Sequence, residues 1–303
     1  MNWKLRYLVA ISLACFLARA GVAQTSQATQ TPQTAKTDQS PREQAWTVLK
    51  SGLNESNIEK RIKAVSDLGL LPDDSQAVDA GLTALKDPKP EVRSTAAQAL
   101  GEMGAKSAIP QLKEALMDSD PSVILAAGRA MLALHDNDGY DVFYAVLTGQ
   151  EKAGSGLLGS AKKTLDDPRK LASMGVETAV GFLPFGGVGV TAFKFLTKDD
   201  ASPVLAAAAL TLAKDPDPQS GEALSQAALT QKKWLVRAAA FAAIAKRDDP
   251  ALLHTAVEGL QDAQDEVQYA AAAAVIHLGD LESRRKEKPR RATRARHSGP
   301  PKQ

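Results

Sequence analysis

The chain has 303 residues, of which 44% are hydrophobic but only 5% aromatic. Alanine supplies much of the apolar total and long alternating β-branched runs are absent, so close-packed helices are favoured over a β-sandwich. The one cysteine, Cys15, lies near the N-terminus, which excludes disulfides and Cys/His zinc sites from the rest of the chain.

The formal net charge of +2 conceals two regions of opposite sign. Residues 24–281 carry 25 basic and 33 acidic side chains, a balance of −8. Residues 282–303 carry nine basic and two acidic side chains, a balance of +7. The body of the chain is therefore acidic, and its tail is strongly basic.

Residues 1–23 are predicted to be a signal peptide. Two basic residues precede an apolar core over Tyr7–Leu17, and Gly21-Val22-Ala23 offers small residues for cleavage. This core is short for a membrane span, so an uncleaved N-terminal anchor is the less favoured alternative. We expect an exported protein, periplasmic or extracellular. Residues 24–40, rich in Gln, Thr and Ser, are predicted to be a disordered linker.

A repeated pattern begins near Pro41 and is clearest over Asp87–Gly104. Asp87 and two prolines mark a turn and a helix start, small apolar residues follow at helical spacing, and glycines end the helix. Similar residues recur at offsets of 31 or 32, at Arg61, Ala64 and Leu68, at Val123, Ala127 and Ala130, at Val236, Arg237 and Ala240, and at Val267, Ala271 and Ala274.

The period and the pattern Asp-Pro-x-x-Glu-Val-Arg-x-x-Ala-Ala-x-Ala-Leu-Gly resemble HEAT repeats, in the short form often called phycobilisome-lyase-like. The resemblance covers about 41–148 and 201–279. It implies an α-solenoid that binds other macromolecules, and it does not imply lyase activity. The predicted fold is therefore all-α, a solenoid of about six two-helix HEAT-like repeats over 41–148 and 201–281.

A Gly/Phe-rich insertion over 149–200 interrupts the array. It contains 16 consecutive uncharged residues and four of the chain's seven phenylalanines. The favoured interpretation is a helical hairpin packed on the solenoid. The alternatives are a partner-binding loop that exposes Phe182 and Phe185, and a membrane-inserting wedge.

No catalytic pattern stands out. None of the four histidines pairs with another at i+3 or i+4, and neither a G-x-G-x-x-G motif nor a P-loop occurs. Adjacent aspartates lie at helix starts or beside proline, where capping explains them better than acid–base chemistry. We predict a protein that is not an enzyme and that holds no cofactor or metal.

Arg61, Arg93 and Arg237 recur at one repeat position. We favour a structural role, pairing with turn acids such as Asp87 or Asp118, over a row of cations that reach a ligand. Trp234, at a helix start, is a candidate binding anchor, although a core role is favoured.

Residues 282–303 are predicted to be a disordered basic tail. Its candidate contacts are Arg284, Arg285, Arg290 and Arg291. Their partners would be an anionic envelope polymer, lipid headgroups or an acidic protein face; export disfavours nucleic acid. A solvated tail without function is the alternative.

These features predict a non-enzymatic protein–protein interaction scaffold of the cell envelope. A protein or peptide partner would bind on the solenoid surface. One alternative is a peripheral membrane or anionic-polymer binding protein that uses the insertion and tail. Another is a lyase-type HEAT module that holds a small molecule.

Overall fold

The computed structural model describes residues 39–142 and 202–297, with the backbone alone for 203–204 and 287–297. The predicted leader and most of the linker lie outside the described residues. So does nearly all of the insertion, including Phe182 and Phe185. The described residues all belong to one compact unit, Gln39–Gln303.

The described residues form helices and contain no β-strand. An N-terminal group contains three helix pairs, which are α1 (Pro41–Leu53) with α2 (Ile58–Leu68), α3 (Ser75–Ala84) with α4 (Pro90–Glu102), and α5 (Ile109–Ala115) with α6 (Pro121–Ala133). A C-terminal group contains α7 (Ser202–Leu212), then α8 (Pro218–Thr230) with α9 (Trp234–Lys246), and α10 (Leu253–Gly259) with α11 (Asp265–His297). Short 3₁₀ segments, Lys106–Ala108 and Pro250–Leu252, precede α5 and α10.

Polar caps and prolines set the helix starts. Ser40 and Glu43 form a capping box at α1. The side chains of Asp74, Asp120 and Asp217 accept hydrogen bonds from the first turns of α3, α6 and α8. The all-α solenoid predicted from the repeat pattern is confirmed.

The second helices of successive pairs pack side by side and form one layer, with the first helices against it. Their small residues permit a close approach. A Cβ placed on Gly101 of α4 would lie 2.8 Å from the Cα of Ala130 in α6. The alanines of the repeat pattern, including Ala96 and Ala99, are buried. They are packing residues.

A left-handed residue follows the second helix of several pairs. The φ angles are 61° at Asp73, 71° at Gly104, 63° at His135 and 57° at Asp248. At Gly104 the next amide, that of Ala105, donates to Leu100 O at 3.1 Å, which closes the helix in the Schellman manner. Only glycine adopts this conformation without a steric penalty.

The first and last pairs pack against each other, which the repeat pattern did not predict. Helices α1 and α2 contact α11, although they are separated from it by about 200 residues. A Cβ on Gly52 of α1 would lie 2.6 Å from Cζ of Tyr269 in α11. Repeat arrays need capped ends. Here the two terminal pairs cap each other, and we call this contact the seam.

The C-terminal segment differs from the disordered tail that was predicted. Helix α11 continues through it as far as His297. The buried part of α11 supplies a formed nucleus, and adding a residue to an existing helix avoids the nucleation cost. Lysine, arginine, glutamate and alanine then continue it, because all four are strong helix formers.

The two glycines at the end of α4 should fail for different reasons. Gly101→Ala should lower the free energy of unfolding by about 2 kcal/mol, because its Cβ meets the backbone of α6. Gly104→Ala should cost about 1 kcal/mol, because open space surrounds the site and the left-handed φ is the only obstacle. Urea denaturation of both variants measures these costs. Asparagine tolerates the left-handed region, so it should rescue position 104 and not position 101; equal effects at both would contradict this assignment.

Candidate binding surface and the ion pairs that support it

The repeated arginines form two-point ion pairs with aspartates 25 or 26 residues later. Nε and Nη2 of Arg93 donate to the two carboxylate oxygens of Asp118 at 2.8 and 2.7 Å. Arg237 binds Asp262 in the same way at 2.7 and 2.8 Å. Arg61 binds Asp87 at 3.1 and 3.2 Å.

Each arginine also ties down its own turn. Nη1 of Arg93 donates to Asp87 O at 2.9 Å, and Nη1 of Arg237 donates to Gln231 O at 2.8 Å. The aspartates in turn accept backbone N–H groups, as Asp262 does from Gln264 at 2.9 Å. Each pair therefore joins the turns of two neighbouring units. The structural role favoured from the sequence is confirmed.

Charge perturbation at the Arg237–Asp262 pair follows from its geometry. Burial alone would raise the pKa of Asp262, but hydrogen bonds from Arg237 and from the Gln264 N–H lower it below its ordinary value. The bond to Asp262 raises the pKa of Arg237. The row is interrupted where the repeat residue changes. Position 124 is isoleucine, and Gln268 keeps only the bond to its own turn, at Asp262 O.

Three ion pairs cross the seam. Arg42 of α1 donates to both oxygens of Asp280 at 2.9 and 3.2 Å, and to Asp74 at 2.6 Å. Lys60 of α2 lies 2.5 Å from Asp265 at the start of α11. Arg284 and Asp73 approach to 4.0 Å. These contacts fix how the first pair sits on the last.

The best-formed cavity in the described structure lies at the seam. Its volume is about 200 Å³, and its lining includes Asp73, Asp74, Asp248, His277 and Asp280. Its carboxylates already have partners on the protein. His277 Nε2 lies 2.5 Å from Asp248, and Arg42 holds Asp74 and Asp280. The cavity is therefore a closed ionic contact and not an acid–base site.

Asp67 of α2 is almost fully buried near the seam. Lys63 lies 2.5 Å from its Oδ1, but its Oδ2 has no hydrogen-bond partner among the described residues. Burial raises the pKa of Asp67, despite the opposing charge of Lys63. A carboxylate held in this way strains the fold.

One stripe of the second helices differs between the two groups. In α2, α4 and α6 it is at least partly exposed, and we name these residues the second-helix surface: Ile62, Ser66, Ser94, Thr95, Gln98, Leu125 and Leu132. The corresponding stripe of α9 and α11 is buried alanine, namely Ala238, Ala239, Ala242, Ala270 and Ala273. The sequence contained this signal in the contrast between Ser94-Thr95 and Ala238-Ala239. Our sequence analysis did not use it.

The residues proposed from the sequence as contacts are not brought together. Trp234 is the first residue of α9 and lies partly buried against the main core. Arg284 and Arg285 are exposed on α11, on the far side of the seam cavity. The backbone of α11 includes Arg290 and Arg291.

Two searches of the described residues bear on chemistry. No group of His, Asp or Glu among them is arranged to hold a metal ion. No helix in the described ranges has the length and apolar character needed to cross a membrane.

A sequence model described as HEAT repeats matches residues 47–133 and 191–276, together more than half of the chain. No curated protein matches it in sequence.

Several solved structures are similar. Human deoxyhypusine hydroxylase in complex with glycerol is 15% identical, with 79% of this chain and 97% of that chain covered and a TM-score of 0.31. The complex of CpcE and CpcF of phycocyanin lyase from Nostoc sp. PCC7120 is 20% identical, with 83% and 97% covered and a TM-score of 0.31. An engineered protein is 21% identical, with 78% and 97% covered and a TM-score of 0.26. Scores this low carry no argument about function.

The Arg237–Asp262 pair should make stability depend on acidity. Because the pKa of Asp262 is lowered in the folded state, its stabilisation is present at neutral pH and is lost as the pH falls below about 4. Arg237→Ala should lower the free energy of unfolding by about 2 kcal/mol at pH 7, and this loss should shrink in acid. Urea denaturation across pH measures both. Lys232→Ala is the control; a loss that stays constant into acid would contradict the pairing.

The seam should respond to an exchange of charges. Arg42→Asp and Asp280→Arg should each lower the free energy of unfolding by about 1 kcal/mol, since each places like charges together at a partly exposed site. The double variant restores an opposite pair and should recover at least half of the summed loss. A double-mutant cycle by thermal unfolding measures this coupling. Strictly additive losses would show that the pair does not hold the seam.

Proposed function

Because this chain belongs to the HEAT-repeat family, we propose that it is a non-enzymatic scaffold that binds a protein or peptide partner. The helical repeat architecture supplies a broad surface and needs no deep pocket. The second-helix surface is our candidate for the place where the partner binds. The observation that carries this assignment is the contrast between its exposed polar stripe and the buried alanines at the matching positions of α9 and α11.

The chemistry of the second-helix surface suits a peptide. Thr95 and Ser94 hydroxyls donate to Glu91 O at 2.8 and 3.0 Å, which leaves their oxygen lone pairs able to accept. Gln98 donates to Glu102 at 2.9 Å and keeps its amide oxygen as an acceptor. Leu132 is 40% exposed at the other end of the stripe. Such a combination of polar contacts and an apolar anchor is common in recognition surfaces.

The support beneath the surface is rigid. Ala97 and Leu100 of α4 are fully buried below the exposed stripe, and the Arg93–Asp118 pair holds the turn that begins the helix. A surface that is already ordered loses little entropy on binding. Binding there would therefore need few strong contacts.

A non-enzymatic role is supported by how the described charges are used. Asp87, Asp118 and Asp262 cap turns and hold arginines, and the carboxylates of the seam cavity are occupied in the same way. A lyase-type module would need convergent polar groups that remain available to a ligand. The predicted leader supports placing the scaffold in the cell envelope.

A matched pair of variants tests the binding surface. Thr95→Arg with Gln98→Arg adds bulk and charge to the second-helix surface. Thr83→Arg with Gln76→Arg makes the same changes on α3, a first helix of the same unit. Affinity capture from the envelope extract should lose its partners with the first variant and retain them with the second. Equal capture by both, or equal loss, would contradict this surface, and circular dichroism checks that both variants fold.

A further inference from the structure

Helix α11 continues well beyond the packed array. Leu281 still packs against the main core, whereas Ser283, Arg284, Arg285 and Lys286 are exposed. The backbone remains helical as far as His297. At 1.5 Å per residue, residues 282–297 extend for about 24 Å. We call this segment the basic arm.

The base of the basic arm is held in place. Lys286 and Glu282 form an i,i+4 ion pair at 2.8 Å, which supports the first exposed turn. Arg284 lies 4.0 Å from Asp73, across the seam. The arm is thus a continuation of a buried helix, and its direction is fixed by the seam.

The composition of the basic arm is unusual for an ordinary surface helix. It contains eight lysines and arginines against two glutamates. From residue 282 to the C-terminus no aliphatic residue is larger than alanine, and no Phe, Tyr or Trp occurs. The arm therefore cannot insert an apolar face into a bilayer, and it has no aromatic ring to stack on a base. Its contacts must be electrostatic, with anions spread over a surface.

We propose that the basic arm holds the chain against an anionic phospholipid surface. Polybasic segments bind such surfaces through charge alone, without inserting. The predicted export signal favours lipid headgroups over nucleic acid, because it removes the chain from the compartment that holds nucleic acid. Residues 24–281 carry a balance of −8 and would be repelled by the same surface. The arm would therefore be the point of contact, and the array would stand away from the lipid.

Vesicle co-sedimentation of the full chain tests this proposal. The probes are vesicles of phosphatidylcholine alone and vesicles that also contain phosphatidylglycerol. We expect binding that requires phosphatidylglycerol and weakens as salt is added. Binding to phosphatidylcholine alone measures the separate contribution of the apolar N-terminal segment.

Two charge-neutral variants identify the residues responsible. The arm variant changes six cations to glutamine, at Arg284, Arg285, Lys286, Lys288, Arg290 and Arg291. The control variant changes six exposed cations of the array, at Lys50, Lys86, Lys89, Lys106, Lys232 and Lys246. The arm variant should lose at least about tenfold in vesicle affinity, and the control should lose less than about twofold.

Three results would overturn the proposal. One is the absence of phosphatidylglycerol-dependent binding at low salt. Another is an equal loss in the two variants, which would indicate only a response to total charge. The third is binding of duplex DNA as tightly as the anionic vesicles, which would make the arm a general polyanion site. Thermal unfolding of each variant confirms that the array remains folded, because all substituted side chains lie outside the core.

Discussion

The whole structure depends on one constraint, that a pair of short helices cannot bury its apolar surface alone. Each pair must pack against a neighbour on both sides, and the pairs at the two ends need a cap. In this chain the first pair and the last pair serve as caps for each other at the seam, where Gly52 lies against Tyr269 and Arg42 binds Asp280. Burial raises the pKa of Tyr269 to about 12, which shows how thoroughly the seam excludes water.

The same constraint explains the two residue types that dominate the repeat. Alanine and glycine let neighbouring second helices approach until Gly101 nearly touches the backbone at Ala130. Arginine has the opposite task, because it reaches across a gap between turns and binds an aspartate and a carbonyl at once. Both roles are structural. The positions left for recognition are those where the pattern does not need a specific residue, and on the second-helix surface these are Ser94, Thr95 and Gln98.

Sequence periodicity predicted what neighbouring units decide between themselves. The repeat length, the alanine layer and the pairing of Arg93 with Asp118 all arise from contacts that recur every unit, so they leave a periodic trace. The seam leaves none, because it forms once and joins residues 238 apart. The helical course of the basic arm was also missed, since composition alone indicates disorder and ignores a helix already nucleated by packing. The second-helix surface was recoverable by comparing units position by position, which shows serine and threonine where later units have alanine.

The seam also imposes an order of events on synthesis. A ribosome releases the first pair early, but the helix that covers it, α11, is among the last segments made. Until residues near Tyr269 have emerged, Trp46 and Leu49 of α1 lack the surface that buries part of them. Nearest-neighbour arrays can fold as they are made, one unit after another. This chain cannot finish its first unit until its last helix is available, so its completion is a post-translational event that depends on contacts of very long sequence separation.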